Sequence, residues 1–352
     1  MQQIIAFILS FFYLFLTPWN SFAQPNIIPE TRKAPVSGPL QEDCFGVWPT
    51  EAMILGEAPW WFSESYVRKL YDQKGERSGG PYTDSLLVLY RGKLIYAFYA
   101  DGYDAQTCFP QYSVTKSVIS ALIGIAIGEG LIQGLDDRIA DYFPEAEISP
   151  EQSGKRDITV EHLLTMTSGL VGDPLFSEAG FWDAAGADPN PGKFLLERIP
   201  LQYNPGTKFS YDSIAIHLLA LLLNRVLEQS VLDYAKEKLF EPLGMDSVRW
   251  DAWGSVVWGG SGIFMTAEDM ARFGYLYLNY GRWEDRQIIP GDWVARSPSR
   301  AKVPGGYGLT FWNKDEFPLY LTNAYEAGGA GGQLISVYPF ADTVIVRTGH
   351  WD

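Results

Sequence analysis

The sequence predicts an α/β (α+β) protein, with an antiparallel sheet flanked by helices and a mainly helical domain inserted into it. Two observations predict this. β-Prone hairpins occur near both ends of the chain, over 84–100 and 333–347. The strongest helical segments lie between them. The economical assembly joins the two ends in one sheet and leaves the middle as an insertion. The expected division is a sheet domain over 24–120 and 250–352 and a helical domain over 121–249. A site is expected in the cleft between the two.

Residues 4–17, IIAFILSFFYLFLT, are apolar apart from Ser10 and Thr17. Ser21 and Ala23 are small residues at the positions a signal peptidase reads, so 1–23 reads as a signal peptide cleaved after Ala23. The run is shorter than the roughly 20 residues a spanning helix needs. No Lys or Arg precedes it, and an N-terminal membrane anchor is the alternative. Export to the periplasm or the medium is expected, with no stable anchor after cleavage. Residues 24–60, rich in Pro, Gly and acidic side chains, read as an extended lead-in, and 61–75 as a short helix capped by Ser63.

SLLVLY and KLIYAFYA are strands joined at Arg91-Gly92. From Val114 to Ile127 the apolar residues leave almost no polar face, so this helix must be buried on most sides. Gly128 and Gly130 end it. Thr159 reads as an N-cap with Glu161 in the first turn. Residues 171–209 are rich in Gly, Pro and Asn and read as chain wrapping the surface near the site, with 171–200 as a wall or lid. Helices are expected over 212–227 and 231–240. Thr266 and Asp269 open another, running to about Leu278, as a capping box with Asp in place of Glu. GGQLISVYP and TVIVRTG form the closing hairpin, turning near Phe340-Ala341.

The net charge of −15 argues against nucleic acid, which needs a basic surface. Two cysteines, Cys44 and Cys108, could pair in an exported protein or remain separate buried thiols. Two Cys and three scattered His (His162, His217, His350) do not have the spacing of a zinc site.

Three signals carry chemistry. Ser113 and Lys116, three residues apart, share a helix face. Ser113 stands at the helix N-terminus, where free N–H groups favour developing negative charge. An apolar helix follows Lys116, and desolvation lets a lysine act as a base. The plain alternative is a capping serine and a surface lysine. Tyr211-Asp212-Ser213 opens the next long helix, and a tyrosine there can relay protons into a cleft. Packing of the tyrosine beside a capping Asp212 or Ser213 is the alternative. Gly328-Gly329-Ala330-Gly331-Gly332-Gln333 lets backbone approach a ligand closely, or makes a simple bulge. Trp258, Tyr307, Trp312 and Tyr325 are candidates either for a pocket lining or for the core.

Together, in this order, these segments resemble the class C β-lactamase and penicillin-binding-protein superfamily of serine hydrolases. TVEHLLTMTSGL, YNPGTKFSY, GLIQGLDDRIADYFP and GGSGIFMTAEDMARFGYLYLNYG add to the likeness, which runs from about Ser85 to Arg347. Within the superfamily the chain looks most like the esterase and 6-aminohexanoate-dimer hydrolase branch. The resemblance implies a β-lactamase/transpeptidase-like fold with Ser113 as nucleophile, Lys116 as general base and Tyr211 as proton shuttle. It places Ser213 where Asn is common, and Ala330-Gly331-Gly332 where a Lys-Thr-Gly motif is usual. The backbone N–H groups of Ser113 and Gln333 would form the oxyanion hole. Arg347-Thr348-Gly349 is rejected as the third motif, because the pattern places that motif on the preceding strand. Without a cation in the third motif, carboxylate-bearing substrates lose a strong partner. The implied activity is cleavage of amides or esters of small acyl substrates through an acyl-enzyme, with linear amide oligomers among the candidate substrates. No metal or organic cofactor is expected. A β-lactamase or D-Ala-D-Ala carboxypeptidase is the rival, and a non-catalytic binder of cell-wall fragments a third reading.

Overall fold

A computed structural model describes residues 82–171, 180–301, 303, 305–314 and 323–350. The expected signal peptide, the 61–75 helix and Cys44 lie outside the described residues.

Strands β1 (Tyr82–Tyr90) and β2 (Lys93–Tyr99) form the first hairpin. Arg91 and Gly92 turn it with φ of 52° and 72°, the left-handed pair that a two-residue hairpin turn favours. A two-residue strand, β3 (Phe109–Pro110), then leads into helix α1 (Val114–Gly128). Every residue of α1 from Val114 to Ala126 is buried, as its uniformly apolar sequence requires.

The middle of the chain is mainly helical. Helix α2 (Val160–Leu164) starts at Thr159, whose hydroxyl accepts from His162 N, while His162 Nδ1 accepts from Thr159 N. Helices α3 (Phe181–Ala187) and α4 (Pro191–Arg198) lie within the Gly-, Pro- and Asn-rich stretch. Asn190 caps α4 and Pro191 takes its first position. Helix α5 (Ser213–Val226) is capped by Asp212, which accepts from Ile214 N and Ala215 N. Helix α6 (Val231–Ala235) continues through a wider turn to Phe240.

The chain then returns to the sheet region. Strands β4 (Arg249–Trp250) and β5 (Ile263–Met265) join β3 in a small sheet ordered β3-β5-β4. Helix α7 (Ala267–Leu278) opens with the expected capping box, Thr266 and Asp269 each accepting the other's backbone N–H. Strands β6 (Trp312–Asn313), β7 (Tyr325–Gly329), β8 (Gln333–Tyr338) and β9 (Thr343–His350) complete an antiparallel sheet ordered β6-β7-β8-β9-β1-β2.

The two ends of the fold meet at β1 and β9, with Tyr90 opposite Thr343 and Leu86 opposite Arg347. Leu87, Leu89, Ala327, Ile335, Val337, Val344 and Val346 contribute to the apolar core shared with α1, α5 and α7. The result is an α/β fold with a central antiparallel sheet, flanking helices and an inserted mainly helical region. The sheet thus holds β7 against the start of α1, and α5 packs against α1 from the inserted region.

Candidate active site

The site begins with a strained residue. Tyr112 has φ of 46° and an exposed side chain. A non-glycine residue in the left-handed region is uncommon and must be held by its surroundings. Here the strand pairing on one side and the helix on the other hold it: Gln111 N donates to Ile263 O at 2.8 Å, and α1 starts at Val114. The turn brings Ser113 to the helix entrance.

Ser113 does not cap α1; its side chain makes no capping bond. Lys116 Nζ donates to Ser113 Oγ at 2.9 Å and to Gly260 O at 2.6 Å. The Lys116 side chain is 1% exposed, so the surface-lysine reading fails. Its Nζ lies 5.1 Å from the centroid of the Tyr211 ring. Three segments far apart in sequence thus converge: the start of α1, the entry to α5 and the 258–262 segment before β5.

Tyr211 is flanked by aromatic rings. Trp312 stacks on it, and Tyr307 meets it edge-on with centroids 6.0 Å apart. Phe209 packs on Tyr307 and Trp312. Tyr307 is fully buried, and burial, with Tyr211 as a second cause, holds its phenol well above the ordinary range and protonated. Tyr307, a core residue, and the half-buried Trp312 thus pack directly against Tyr211. Tyr325 belongs to the core, its hydroxyl donating to Tyr277 O. Trp258 packs on His217, one layer behind Gly260. Ser213 lies against Gly260, where a β-carbon would come 2.9 Å from Ser213 Cβ.

The glycine-rich segment divides between strand and turn. Ala330, Gly331 and Gly332 make the turn from β7 to β8, Gly331 and Gly332 having φ of 71° and 85°. Gly329, the last residue of β7, is the one beside Ser113. A β-carbon there would lie 3.3 Å from Ser113 N and 2.3 Å from Gln111 O. Only glycine allows this approach. Gln333 is Gly329's partner across the hairpin. It is buried, and its side-chain amide donates to Gly349 O. Arg347 and Thr348 are engaged with Thr83 and Ser85 on β1, away from this cluster.

The strand carries a carboxylate. Glu326 on β7 is nearly buried, pairs with Lys314 at 3.3 Å and accepts from Ser336 Oγ at 2.8 Å. The thiol of Cys108 is free and faces Ser247 O at 3.7 Å. Among the described residues, no three His, Cys, Asp or Glu side chains gather in a way that could hold a metal. Among the same residues, no single helix is long and apolar enough to cross a membrane.

Sequence reasoning found Ser113, Lys116 and Tyr211, which the structure brings together. It missed Gly260, the acceptor for Lys116, and Tyr112. The Gly259-Gly260 pair after Trp258 was the available signal for the first. A left-handed tyrosine leaves no mark in the sequence.

The profile of the beta-lactamase family matches residues 67–349. A 6-aminohexanoate-dimer hydrolase of Paenarthrobacter ureafaciens is 24% identical over 289 residues, 76% of this chain and 73% of that protein. Two Escherichia coli proteins with the provisional name D-alanyl-D-alanine carboxypeptidase are 24% identical over 225 residues, 49% of this chain. The match spans about half the length of those two relatives, 51%. Among solved structures, a penicillin-binding-protein homologue from Caulobacter crescentus superposes with a TM-score of 0.64 at 19% identity, covering 81% of this chain and 91% of that one. A family VIII carboxylesterase superposes with a TM-score of 0.59 at 20% identity, covering 76% of this chain and 86% of that one.

Proposed function

The chain belongs to the beta-lactamase family, and we propose that it is a serine hydrolase that cleaves neutral esters or amides of small acyl substrates through an acyl-enzyme on Ser113. The observation that carries this reading is the buried Lys116 amino group held between Ser113 Oγ at 2.9 Å and Gly260 O at 2.6 Å. A lysine committed to a hydroxyl in a water-poor setting is arranged for proton transfer.

In the proposed cycle Lys116 acts in its neutral form. It keeps one N–H on Gly260 O and turns its lone pair to the Ser113 hydroxyl. The Ser113 proton passes to Lys116 Nζ as Oγ bonds to the substrate carbonyl carbon. The carbonyl oxygen becomes an oxyanion facing the backbone N–H groups of Ser113 and Gly329. Gly329 takes the place first assigned to Gln333, because it is the strand residue that reaches Ser113 N. The carbon–leaving-group bond then breaks, and the leaving atom receives a proton from Lys116 by way of the Tyr211 hydroxyl. Water repeats the sequence on the acyl-enzyme, its proton going to the same base and returning to Ser113 Oγ.

Two features support neutral substrates. The β7 sequence Tyr325–Gly329 contains no cation, and its charged residue, Glu326, is already paired with Lys314. The rings of Phe209, Tyr307, Tyr211 and Trp312 make one flank of the site aromatic. The 6-aminohexanoate dimer in the name of the Paenarthrobacter relative is a linear amide whose methylene chain, though not its charged ends, would suit that flank. Export, as expected from residues 1–23, would give the enzyme extracytoplasmic substrates; N-terminal sequencing of the protein recovered from an expressing cell tests it.

Hydrolysis of p-nitrophenyl acetate and butyrate beside a chromogenic cephalosporin, by the wild-type protein and Ser113→Ala, tests the reading. Ester turnover lost in the variant, with negligible cephalosporin opening, is expected. Rapid Ser113-dependent cephalosporin opening would make the protein a β-lactamase instead. Unchanged ester turnover by Ser113→Ala would remove Ser113 as nucleophile.

A further inference from the structure

We propose that His217 is a positioning residue for Lys116, acting through the Gly259-Gly260 backbone; the inference rests on the serine-hydrolase reading above. His217 lies on α5, six residues after Tyr211, with no exposed surface. Its ring is not a candidate for chemistry on a substrate. Its Nδ1 accepts the backbone N–H of Gly259 at 3.2 Å. The next residue, Gly260, gives its carbonyl to Lys116 Nζ. The chain of contacts therefore runs from His217 to Gly259, across one peptide unit to Gly260, then to Lys116 and Ser113.

The geometry makes this link specific. The 258–260 segment lies flat on α5: a β-carbon at Gly259 would come 2.9 Å from Ile216 O, and one at Gly260 2.9 Å from Ser213 O. On its other side the segment is tied to β4 and the residue after it, with Trp250 Nε1 donating to Trp258 O and Trp258 N to Asp251 O. These bonds fix Trp258. The Trp258–Gly259 peptide is thus held at its carbonyl by Trp250 Nε1 and at its N–H, on the α5 side, by His217 Nδ1. A buried N–H without an acceptor is costly, so loss of the imidazole would drive the peptide to rotate toward another partner. Rotation there would swing the Gly260 carbonyl away from Lys116.

The imidazole is locked for this task. Nδ1 accepts, so the ring proton resides on Nε2. Nε2 is buried without a hydrogen-bond partner, and the ring is enclosed by Trp253 at 4.7 Å and Trp258 at 4.3 Å between centroids. Burial lowers the imidazole pKa to about 3, which keeps Nδ1 free to accept at working pH. An apolar residue would fill this slot more simply, and leaving Nε2–H unpaired has a cost. The acceptor at Nδ1 is what the slot gains from histidine.

The test compares His217→Asn, His217→Gln and His217→Leu. Asparagine places its carbonyl oxygen at the level of Nδ1 and can accept from Gly259 N. Glutamine places its carboxamide one bond farther out, and leucine offers no acceptor. Two readouts are taken: kcat and KM on p-nitrophenyl butyrate, and the rate of covalent labelling of Ser113 by a fluorophosphonate probe. His217→Asn is expected to stay within about threefold of wild type, while His217→Gln and His217→Leu lose about tenfold or more in kcat and labelling with KM little changed. Equal losses in Asn and Leu, or none in a folded Leu variant, would overturn the inference. The tautomer offers a test that needs no variant. The ¹⁵N spectrum of the wild-type protein should show His217 protonated at Nε2 alone, and a proton on Nδ1 would overturn the proposal. A wild-type protein whose Ser113 takes no probe, and whose Ser113→Ala variant keeps its turnover, would instead remove the hydrolase reading, and this inference with it.

Discussion

The indole of Trp312 lies almost parallel to the phenol ring of Tyr211, with centroids 6.0 Å and planes 11° apart. Trp312 is on the edge strand β6, and Tyr211 is at the entry to α5, so the stack joins the sheet to the helical region. We expect Trp312→Ala to lower kcat/KM on p-nitrophenyl esters by about tenfold, through lost apolar contact and a less fixed Tyr211. The loss should grow from acetate to hexanoate. An equal loss across that series would mean Trp312 orients Tyr211 without touching the acyl chain.

Lys116→Met should retain the fold and lose activity. The methionine fills a similar volume but leaves Gly260 O without its donor. We expect kcat to fall by about 10²–10⁴-fold, with thermal unfolding still cooperative. Circular dichroism alongside ester hydrolysis checks both halves.

Gly329 and Gln333 can be separated directly. A β-carbon at Gly329 would sit 2.3 Å from Gln111 O, so Gly329→Ala must push β7 away from Ser113. Loss of one oxyanion donor costs about 10²–10³-fold in kcat, and Gly329→Ala should show a loss of that order. Gln333→Ala removes only a side-chain bond to Gly349 O, leaves the backbone in place, and should change kcat little.

Glu268, in the first turn of α7, has its pKa raised to about 7, chiefly by burial, with Arg272 opposing and Asp269 adding. A folded-state value above the unfolded one means that the native protein binds the extra proton between about pH 4.5 and 7. That stability is fully present below pH 4.5 and is lost as pH rises through about 7. Melting temperatures of wild type and Glu268→Gln across pH 4–8 check this. The difference should shift in favour of the variant as pH rises, and a pH-independent difference would contradict it.

Much of the fold was legible because its signals are local. The α1 sequence is apolar on every side and is buried throughout. Thr159 and Thr266 cap the helices they were expected to cap, and of the two candidates at the start of α5, Asp212 and Ser213, it is Asp212 that caps. The hairpin turn at Arg91-Gly92 follows from its residue types. The separate helices over 181–198 were not legible, because Pro191 and Asn190 serve helix starts as well as loops, and composition cannot distinguish the two. Ser113, Lys116 and Tyr211 were visible through their spacing and order. Gly329 was not separable from its glycine neighbours, because only strand register decides which of them meets Ser113. Gly260 and His217 act across tertiary contacts between segments over 40 residues apart, and no local pattern reports such a contact.

The Ser85 hydroxyl shares a hydrogen bond with Thr348, 263 residues away in sequence. During synthesis β1 emerges early and must wait for β9 before its open edge is closed. Contacts of such long separation slow folding and leave a strand edge available to wrong partners. The β7–β8 hairpin that carries Gly329 leans on β9 as well, so a ribosome-bound chain that has already exposed Ser113 and Lys116 still lacks Gly329 beside them. On the serine-hydrolase reading, activity would therefore arrive late, with the closing of the sheet.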